Sequence, residues 1–193
     1  ALTLMDNLRA RELLRACDGI TLAAFCSGAS GIASRILGPL WASHLTYAMA
    51  PGHEPLAEGL LSLDVMVRVY RMRRLHALPP SKRYLVSFFG VVGSAASQSL
   101  SPLIHNACFS SNNQAALYLP LQSASLGDAL EFADAIGCRG LSITSPFKET
   151  AESLLGKDAS ASVYATRAVN TLTRKPDGWR CGNTDPHGLM AAL

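Results

Sequence analysis

The sequence predicts an α/β protein in two blocks, a partial (β/α) barrel segment followed by an α/β substrate-binding domain with a mostly parallel sheet. Three observations carry this. Short apolar runs alternate with stretches of helical periodicity, the rhythm that parallel strands require. The pair Pro79-Pro80, with basic and polar flanks, interrupts that rhythm and cannot lie inside a helix. Beyond it, Ser101-Pro102, Ser145-Pro146 and Asp185-Pro186 each set a small polar residue before a proline suited to open a helix.

In the first block, residues 1–75, Leu2–Met5 reads as a strand end and Asp6 as the cap of a helix running to Ala16. Ile20–Phe25 and Leu45–Met49 read as strands, with a helix over Gly31–Leu37 between them. Leu63, Met66, Val67 and Tyr70 recur at helical spacing, which predicts one amphipathic helix over Leu61–Arg74. Two or three strands do not close a sheet, so this block reads as the tail of a larger barrel. Residues 76–83 form the linker. In the second block, residues 84–193, strands are expected at Tyr84–Val92, Ala116–Leu121 and Gly140–Thr144. Helices are expected at Pro102–Asn112, Leu126–Ile136, Pro146–Leu155 and from Pro186 onward. A hairpin joins Ala168–Arg174 to Trp179–Asn183 around Lys175-Pro176-Asp177-Gly178.

Composition narrows the class of function. Of 193 residues 49% are hydrophobic and 16% charged, which argues against disorder. The net charge of +3 comes without a long basic run, so nucleic acid is not an expected partner. No apolar run is long enough to span a membrane, and no secretion signal is visible at the start. The five cysteines are widely spaced and form no metal-type pair; they read as reduced thiols of a cytoplasmic protein, and no metal site is expected. The expected partner is a small molecule.

The helix starts carry the candidate chemistry. A helix N-terminus offers free N–H groups and a partial positive charge to an anion. Ser99 and Ser101 add two hydroxyls suited to a carboxylate, unless Ser101 is only a cap. Lys148 falls in the first turn of its helix, where the dipole disfavours a cation, and a residue that breaks a local rule points to function. The alternative is a solvated lysine offset by Glu149. Asp185 either caps the next helix or, beside Lys148, holds its ammonium. Asn170 is a polar residue in a strand that bonds either a ligand or a neighbouring loop. His105 and Asn106 read as surface or supporting positions. Arg35 either presents its guanidinium to a carboxylate or is a surface residue of its helix. Gly28–Gly31 and Gly90–Gly93 read as turns, since neither has the G-x-G-x-x-G spacing of a dinucleotide loop.

The ordered motifs Gly90-Val91-Val92-Gly93, Ser99-Leu100-Ser101-Pro102, His105-Asn106, Tyr118-Leu119-Pro120-Leu121, Thr144-Ser145-Pro146-Phe147-Lys148-Glu149, Ala168-Val169-Asn170-Thr171 and Asn183-Thr184-Asp185 resemble the substrate domain of shikimate dehydrogenase. The resemblance implies NADPH-dependent reduction of 3-dehydroshikimate to shikimate, with NADP as cofactor. Its binding residues are unknown here, because that family's nucleotide domain would follow Leu193. By the family pattern Ser99 and Ser101 bind the carboxylate, Lys148 and Asp185 are the catalytic pair, and Thr144 and Asn170 hold ring hydroxyls.

Gly31, Ser34-Arg35, Gly38-Pro39-Leu40 and Leu45-Thr46-Tyr47 resemble the end of a type I 3-dehydroquinate dehydratase, in which Arg35 would be a substrate ligand. The two families occur fused in this order in plants, some bacteria and fungi. The departures are specific. The place of the dehydratase's imine-forming lysine falls on Ala1, and Leu56-Ala57-Glu58-Gly59-Leu60 stands where that family has Ser-Ala-Pro-Gly-Gln. In the second block Gln98 replaces a His, Ser142 stands where many members carry a ligand Asn, and Arg167 replaces a Gly. The rival reading is a non-catalytic binding or regulatory protein, like the fungal quinate-pathway repressor.

Overall fold

The apolar runs after the proline pair build the centre of a single five-stranded sheet of order β2-β1-β3-β4-β5. In the computed structural model, which describes residues 1–193 except 18, 55 and 156–158, β1 (Ser87–Gly93) lies between β2 (Ala116–Gln122) and β3 (Cys138–Ile143), parallel to both. β4 (Thr171–Lys175) runs antiparallel to β3, and β5 (Gly178–Gly182) antiparallel to β4. β1 starts three residues later than Tyr84. Pro79 and Pro80 instead start a 3-10 helix over Pro80–Leu85, which leaves Tyr84 and Leu85 exposed.

The crossovers are α4 (Ser101–Ser111) and α5 (Leu126–Ile136), with α6 (Lys148–Leu155), α7 (Ala161–Thr166) and α8 (Asp185–Ala192) beyond β3 and β5. α5 shows how local sequence sets an element. Ser125 accepts the N–H of Asp128 at its start, and Gly137 adopts φ 73° at its end, a left-handed turn that costs glycine little.

One face of the sheet presents Val92, Leu117, Leu119, Leu121, Leu141, Ile143 and Leu172 to Phe132 and Ala133 of α5, in one buried cluster. The first block completes that cluster. Its helices α1 (Asp6–Ala16), α2 (Ile32–Leu37) and α3 (Met72–His76) add Leu8, Ile36, Leu37 and Leu75. Leu4, Ile36 and Leu37 are fully buried, and a side chain removed from water this way contributes about 1.5–3 kcal/mol. Polar ties follow the same contact. Leu4 N–H donates to Asp128 at 2.9 Å, Arg11 to the Ala135 carbonyl at 2.8 Å, and Arg71 to the Ala116 carbonyl. On the opposite face Val91, Ala96 and Tyr118 pack with Phe89 and Phe109 of α4.

The α/β class therefore rests on the second block, and several first-block elements differ from expectation. Residues 2–5 form a bend and turn, and residues 20–25 and 45–48 are not in a ladder. The lone bridge outside the named strands among the described residues joins Met49 to Ser62. An apolar run reports burial, whereas a strand also needs a neighbouring backbone to take its N–H and C=O groups. Here local groups take part of that role. Ser43 Oγ accepts from Ala24 N–H, Ser34 Oγ from Cys26 N–H, and the Leu22 carbonyl from His44 N–H.

The helix expected over Leu61–Arg74 is broken. Val65–Val69 is π-helical, and Arg71 turns left-handed at φ 55° before α3. That turn accompanies the Arg71 bond to the start of β2. Asp6 is the first residue of α1 rather than its cap. Its carboxylate accepts the Leu2 and Thr3 N–H groups at 2.8 and 3.1 Å, which hold its pKa below the ordinary value and fix the preceding turn.

Candidate functional site

Sheet topology gathers most of the candidate residues. β1, β2 and β3 end at Gly93, Gln122 and Ile143 on one edge. Because β4 and β5 alternate in direction, Ser142 faces Thr171 and Thr171 faces Gly182. The segments 94–101, 144–148, 168–170 and 183–185 therefore all leave or enter the sheet at that carboxyl edge, where open α/β sheets bind ligands.

The edge is closely packed. Thr144 N–H donates to the Val92 carbonyl at 2.9 Å, and Ser94 N–H to the Ser145 carbonyl at 3.3 Å. Gly93 is required here, since a Cβ on it would stand 2.4 Å from Thr144 Cγ2. Pro146 does not open a helix. Residues 144–147 close a turn with a cis Ser145–Pro146 peptide and a bond from Phe147 N–H to the Thr144 carbonyl, so α6 begins at Lys148. Thr144, Ser145, Pro146, Lys148 and Glu149 line an open hollow of about 450 Å³.

Lys148 sits at the first position of α6, and its carbonyl accepts Val169 N–H at 2.9 Å, which ties it to the strand carrying Asn170. Its ammonium lies 2.6 Å from Asp185 Oδ2. Asn170 reaches the other carboxylate oxygen, Oδ1, at 2.7 Å. These contacts set the electrostatics of Asp185. The Lys148 hydrogen bond first, then the Asn170 bond and the Lys148 charge, hold its pKa below the ordinary carboxylate value against partial burial. Asn170 uses its whole amide. Its Oδ1 accepts from Thr184 N–H at 3.0 Å and Thr171 Oγ1 at 2.7 Å, and its Nδ2 also donates to Thr184 Oγ1 at 2.9 Å.

Ser99 and Ser101 lie between β1 and α4. Ser101 is the first helical residue and makes no side-chain cap; its N–H instead donates to Ser99 Oγ at 3.2 Å. Capping therefore does not account for Ser101. The loop is pinned from β2, because Gln122 Oε1 accepts both Ser97 N–H at 3.1 Å and Ser97 Oγ at 2.6 Å.

Among the described residues no hydrogen bond or ion pair ties Arg35 to this cluster, and it is not on the surface of its helix. Only 4% of it is exposed. Its guanidinium lies 4.5 Å over the Phe25 ring, its Nε has no hydrogen-bond partner, and burial lowers its pKa. His105 stacks on Tyr118 at 4.3 Å, and Asn106 is buried, exchanging two bonds with the Tyr118 backbone. The Tyr118 hydroxyl donates to Ser142 Oγ at 2.7 Å. Asn183, which the sequence sets with Ser99, Ser101, Thr144, Lys148 and Asp185 among the side chains beside the helix starts that could serve a ligand, is instead buried.

Fold and site together place a lysine–carboxylate pair at the carboxyl edge of an α/β sheet. Comparison with known proteins places each block. Residues 91–172 match the shikimate dehydrogenase substrate binding domain family, and residues 1–77 match the type I 3-dehydroquinase family. The chain is 41% identical over 105 residues to the shikimate dehydrogenase (NADP(+)) of Syntrophobacter fumaroxidans, covering 54% of this chain and 36% of that protein. It is 31% identical over 168 residues to the bifunctional 3-dehydroquinate dehydratase/shikimate dehydrogenase, chloroplastic, of Arabidopsis thaliana, covering 86% of this chain and 26% of that protein. The solved dehydroquinate dehydratase and shikimate dehydrogenase from S. pombe AroM shares the fold over 100% of this chain and 35% of its own, with a TM-score of 0.51 and 22% identity. The chain thus spans about a third of the length of the shikimate dehydrogenase it matches.

Proposed function

We propose that this chain recognises 3-dehydroshikimate and shikimate within an NADP-dependent shikimate dehydrogenase fused behind a dehydratase. The observation that carries the reading is the Lys148–Asp185 contact of 2.6 Å, braced by Asn170, at the sheet edge that also holds Ser99, Ser101 and Thr144. The Ser99 and Ser101 hydroxyls bind the ring carboxylate and fix its orientation. Thr144 and Asn170 hold ring hydroxyls; Asn170 has to exchange one of its four present bonds to do so. Lys148 donates a hydrogen bond, and then a proton, to the ketone oxygen as it gains negative charge. Asp185 keeps the ammonium aimed.

NADPH, when bound, supplies the hydride to the ketone carbon. The residues of this chain do not fit its binding. Gly90 and Gly93 are spent inside β1, against Leu119 and Thr144, and no G-x-G-x-x-G turn is present. The proposed division is a dehydratase-like block over residues 1–75, a linker over 76–83 and a substrate domain over 84–193, and family matches over 1–77 and 91–172 support it. Dehydratase activity is not part of the reading, because Arg35 is turned onto Phe25 and the closing-loop residues differ.

The five cysteines are free, no helix among the described residues is long and apolar enough to cross a membrane, and a cytoplasmic setting is proposed on the thiols. The braced Lys148–Asp185 pair favours catalysis over the repressor-like alternative, which needs no such pair.

Titration of shikimate into the chain, followed by amide NMR, tests the reading. Perturbations are expected at Ser99–Ser101, Thr144, Lys148 and Asn170. Shifts confined to other faces, or none at millimolar ligand, would sink it.

A further inference from the structure

Asn183 lies two residues before Asp185 and is 4% exposed. It has no access to a ligand in the cleft, yet its amide is fully directed. Oδ1 accepts the Asp185 N–H at 3.0 Å, and Nδ2 donates to Thr166 Oγ1 at 2.8 Å. Thr166 is the last residue of α7, and its hydroxyl donates in turn to the Ser162 carbonyl at 2.7 Å. A continuous chain of hydrogen bonds therefore runs from the backbone of α7, through Thr166 and Asn183, to the backbone of Asp185. On its other side, Asp185 reaches Lys148 and Asn170 through its carboxylate.

We infer that Asn183 and Thr166 are positioning residues, which set the Asp185 backbone from below so that its carboxylate meets Lys148. The inference rests on the catalytic role proposed for Lys148 and Asp185. The physical reason is that Asp185 stands at the first turn of α8 with no side-chain cap there, and α8 buries none of its residues. Packing does not fix the start of α8, so hydrogen bonds must. Asn183 supplies a bond to the backbone, and Asn170 supplies bonds to the side chain and to Thr184 N–H. Losing the Asn183 bond removes the only side-chain bond to the Asp185 N–H among the described residues and leaves Asp185 held through its carboxylate and through the Asn170 bonds to Thr184, which fix its height against the Lys148 ammonium less tightly. An error of about 1 Å at a catalytic pair costs on the order of a hundredfold in rate.

Thr166→Val tests this without touching the cleft. Valine keeps the shape and removes the oxygen that anchors Asn183, while Thr166→Ser keeps the oxygen. In the chain itself, the Asp185 carboxyl is followed by carbon NMR against pH. The Thr166→Val and Asn183→Ala forms are expected to titrate at a higher pH than the unsubstituted chain, toward the ordinary carboxylate value, as the Lys148 contact loosens, and Thr166→Ser to match it. In the full-length parent, kcat is expected to fall about tenfold or more in Thr166→Val with KM within threefold. An unmoved Asp185 titration in a folded Thr166→Val chain would overturn the inference, whether or not Asn183→Ala folds. If the titration moves but the parent does not reduce 3-dehydroshikimate, the positioning stands and the functional reading fails.

Discussion

Lys148 Nζ and Asp185 Oδ2 stand 2.6 Å apart across 37 residues of chain, between the first turns of two different helices. Only one of the two suits its own helix. A cation at the start of α6 opposes the helix dipole, whereas the acid at the start of α8 suits it. Side-chain exposures of 36% and 55% make this a weak stabilising pair, since exposed ion pairs contribute about 0–1 kcal/mol. Stability alone does not explain the arrangement, which suits the proton-donating role proposed for Lys148.

In the full-length parent, Lys148→Ala is expected to lower kcat by roughly 10²–10⁴ while changing KM little, because Lys148 acts on charge that develops in the transition state. Ser101→Ala is expected to do the opposite, raising KM severalfold at nearly constant kcat, because the carboxylate is bound alike in ground and transition states. Steady-state kinetics on both variants check this. Equal effects on KM and kcat in the two would remove the division of labour.

The pH dependence of the pair has a defined sign. Asp185 has a folded pKa below its unfolded one, chiefly through the Lys148 hydrogen bond. Its contribution is complete above the unfolded value near 4 and is lost as pH falls through the lower folded value. The Asp185 contact with Lys148 is therefore expected to persist at pH 5 and to disappear only in more acidic solution. Lys148→Ala is expected to move the Asp185 titration upward, toward the ordinary carboxylate value. A midpoint unaffected by Lys148→Ala would mean that the two groups do not meet in solution.

Much of the second block was legible because its punctuation is local. Ser125 and Gly137 bound α5 where expected, and Pro176-Asp177-Gly178 turn the hairpin. Lys148 and Asp185 were legible as a pair only through the ordered motifs, since nothing in spacing alone brings positions 37 residues apart together. The first-block strands were not legible as missing. The apolar run Ile20–Phe25 reports a preference for burial, but ladder partners are a property of the rest of a fold. Pro146 misled because a proline after a serine suits a turn as well as a helix start, and the burial of Asn183 was not legible because its hydrogen bond to Thr166 leaves no local trace.

Arg35 offers a test of what the first block now does. Its guanidinium is buried, faces Phe25 and forms no ion pair with a carboxylate among the described residues. A buried charge without an anion costs free energy that the cation–π contact, about 0.5–2 kcal/mol, offsets only in part. Arg35→Met keeps most of the volume and drops the charge, so stability is expected to hold within about 1 kcal/mol or to rise. Phe25→Ala, which removes the ring and leaves the charge, is expected to lower stability. Urea unfolding of both variants decides it, and a large loss in Arg35→Met would show that the guanidinium has an anionic partner in solution.

Arg167 occupies the position that closes α7 with φ 54° and ψ 33°, a left-handed conformation that glycine adopts freely and a branched residue resists. Its side chain reaches Glu152 at 3.3 Å, but the arginine side is 76% exposed, so the pair contributes little. Arg167→Gly relieves about 1 kcal/mol of backbone strain. It also frees the unfolded chain by a similar 0.5–1 kcal/mol. The expected net change is small, within about 1 kcal/mol. Arg167→Val keeps the strain, worsens it by branching at Cβ and loses the Glu152 contact, so it is expected to destabilise by about 1–2 kcal/mol. Because Arg167 follows Thr166 directly, the valine variant should also raise the Asp185 titration, whereas the glycine variant should not. Urea unfolding and the Asp185 carbon signal, measured on the same two proteins, check both halves; a valine variant as stable as the glycine one would mean that residue 167 is not held left-handed in solution.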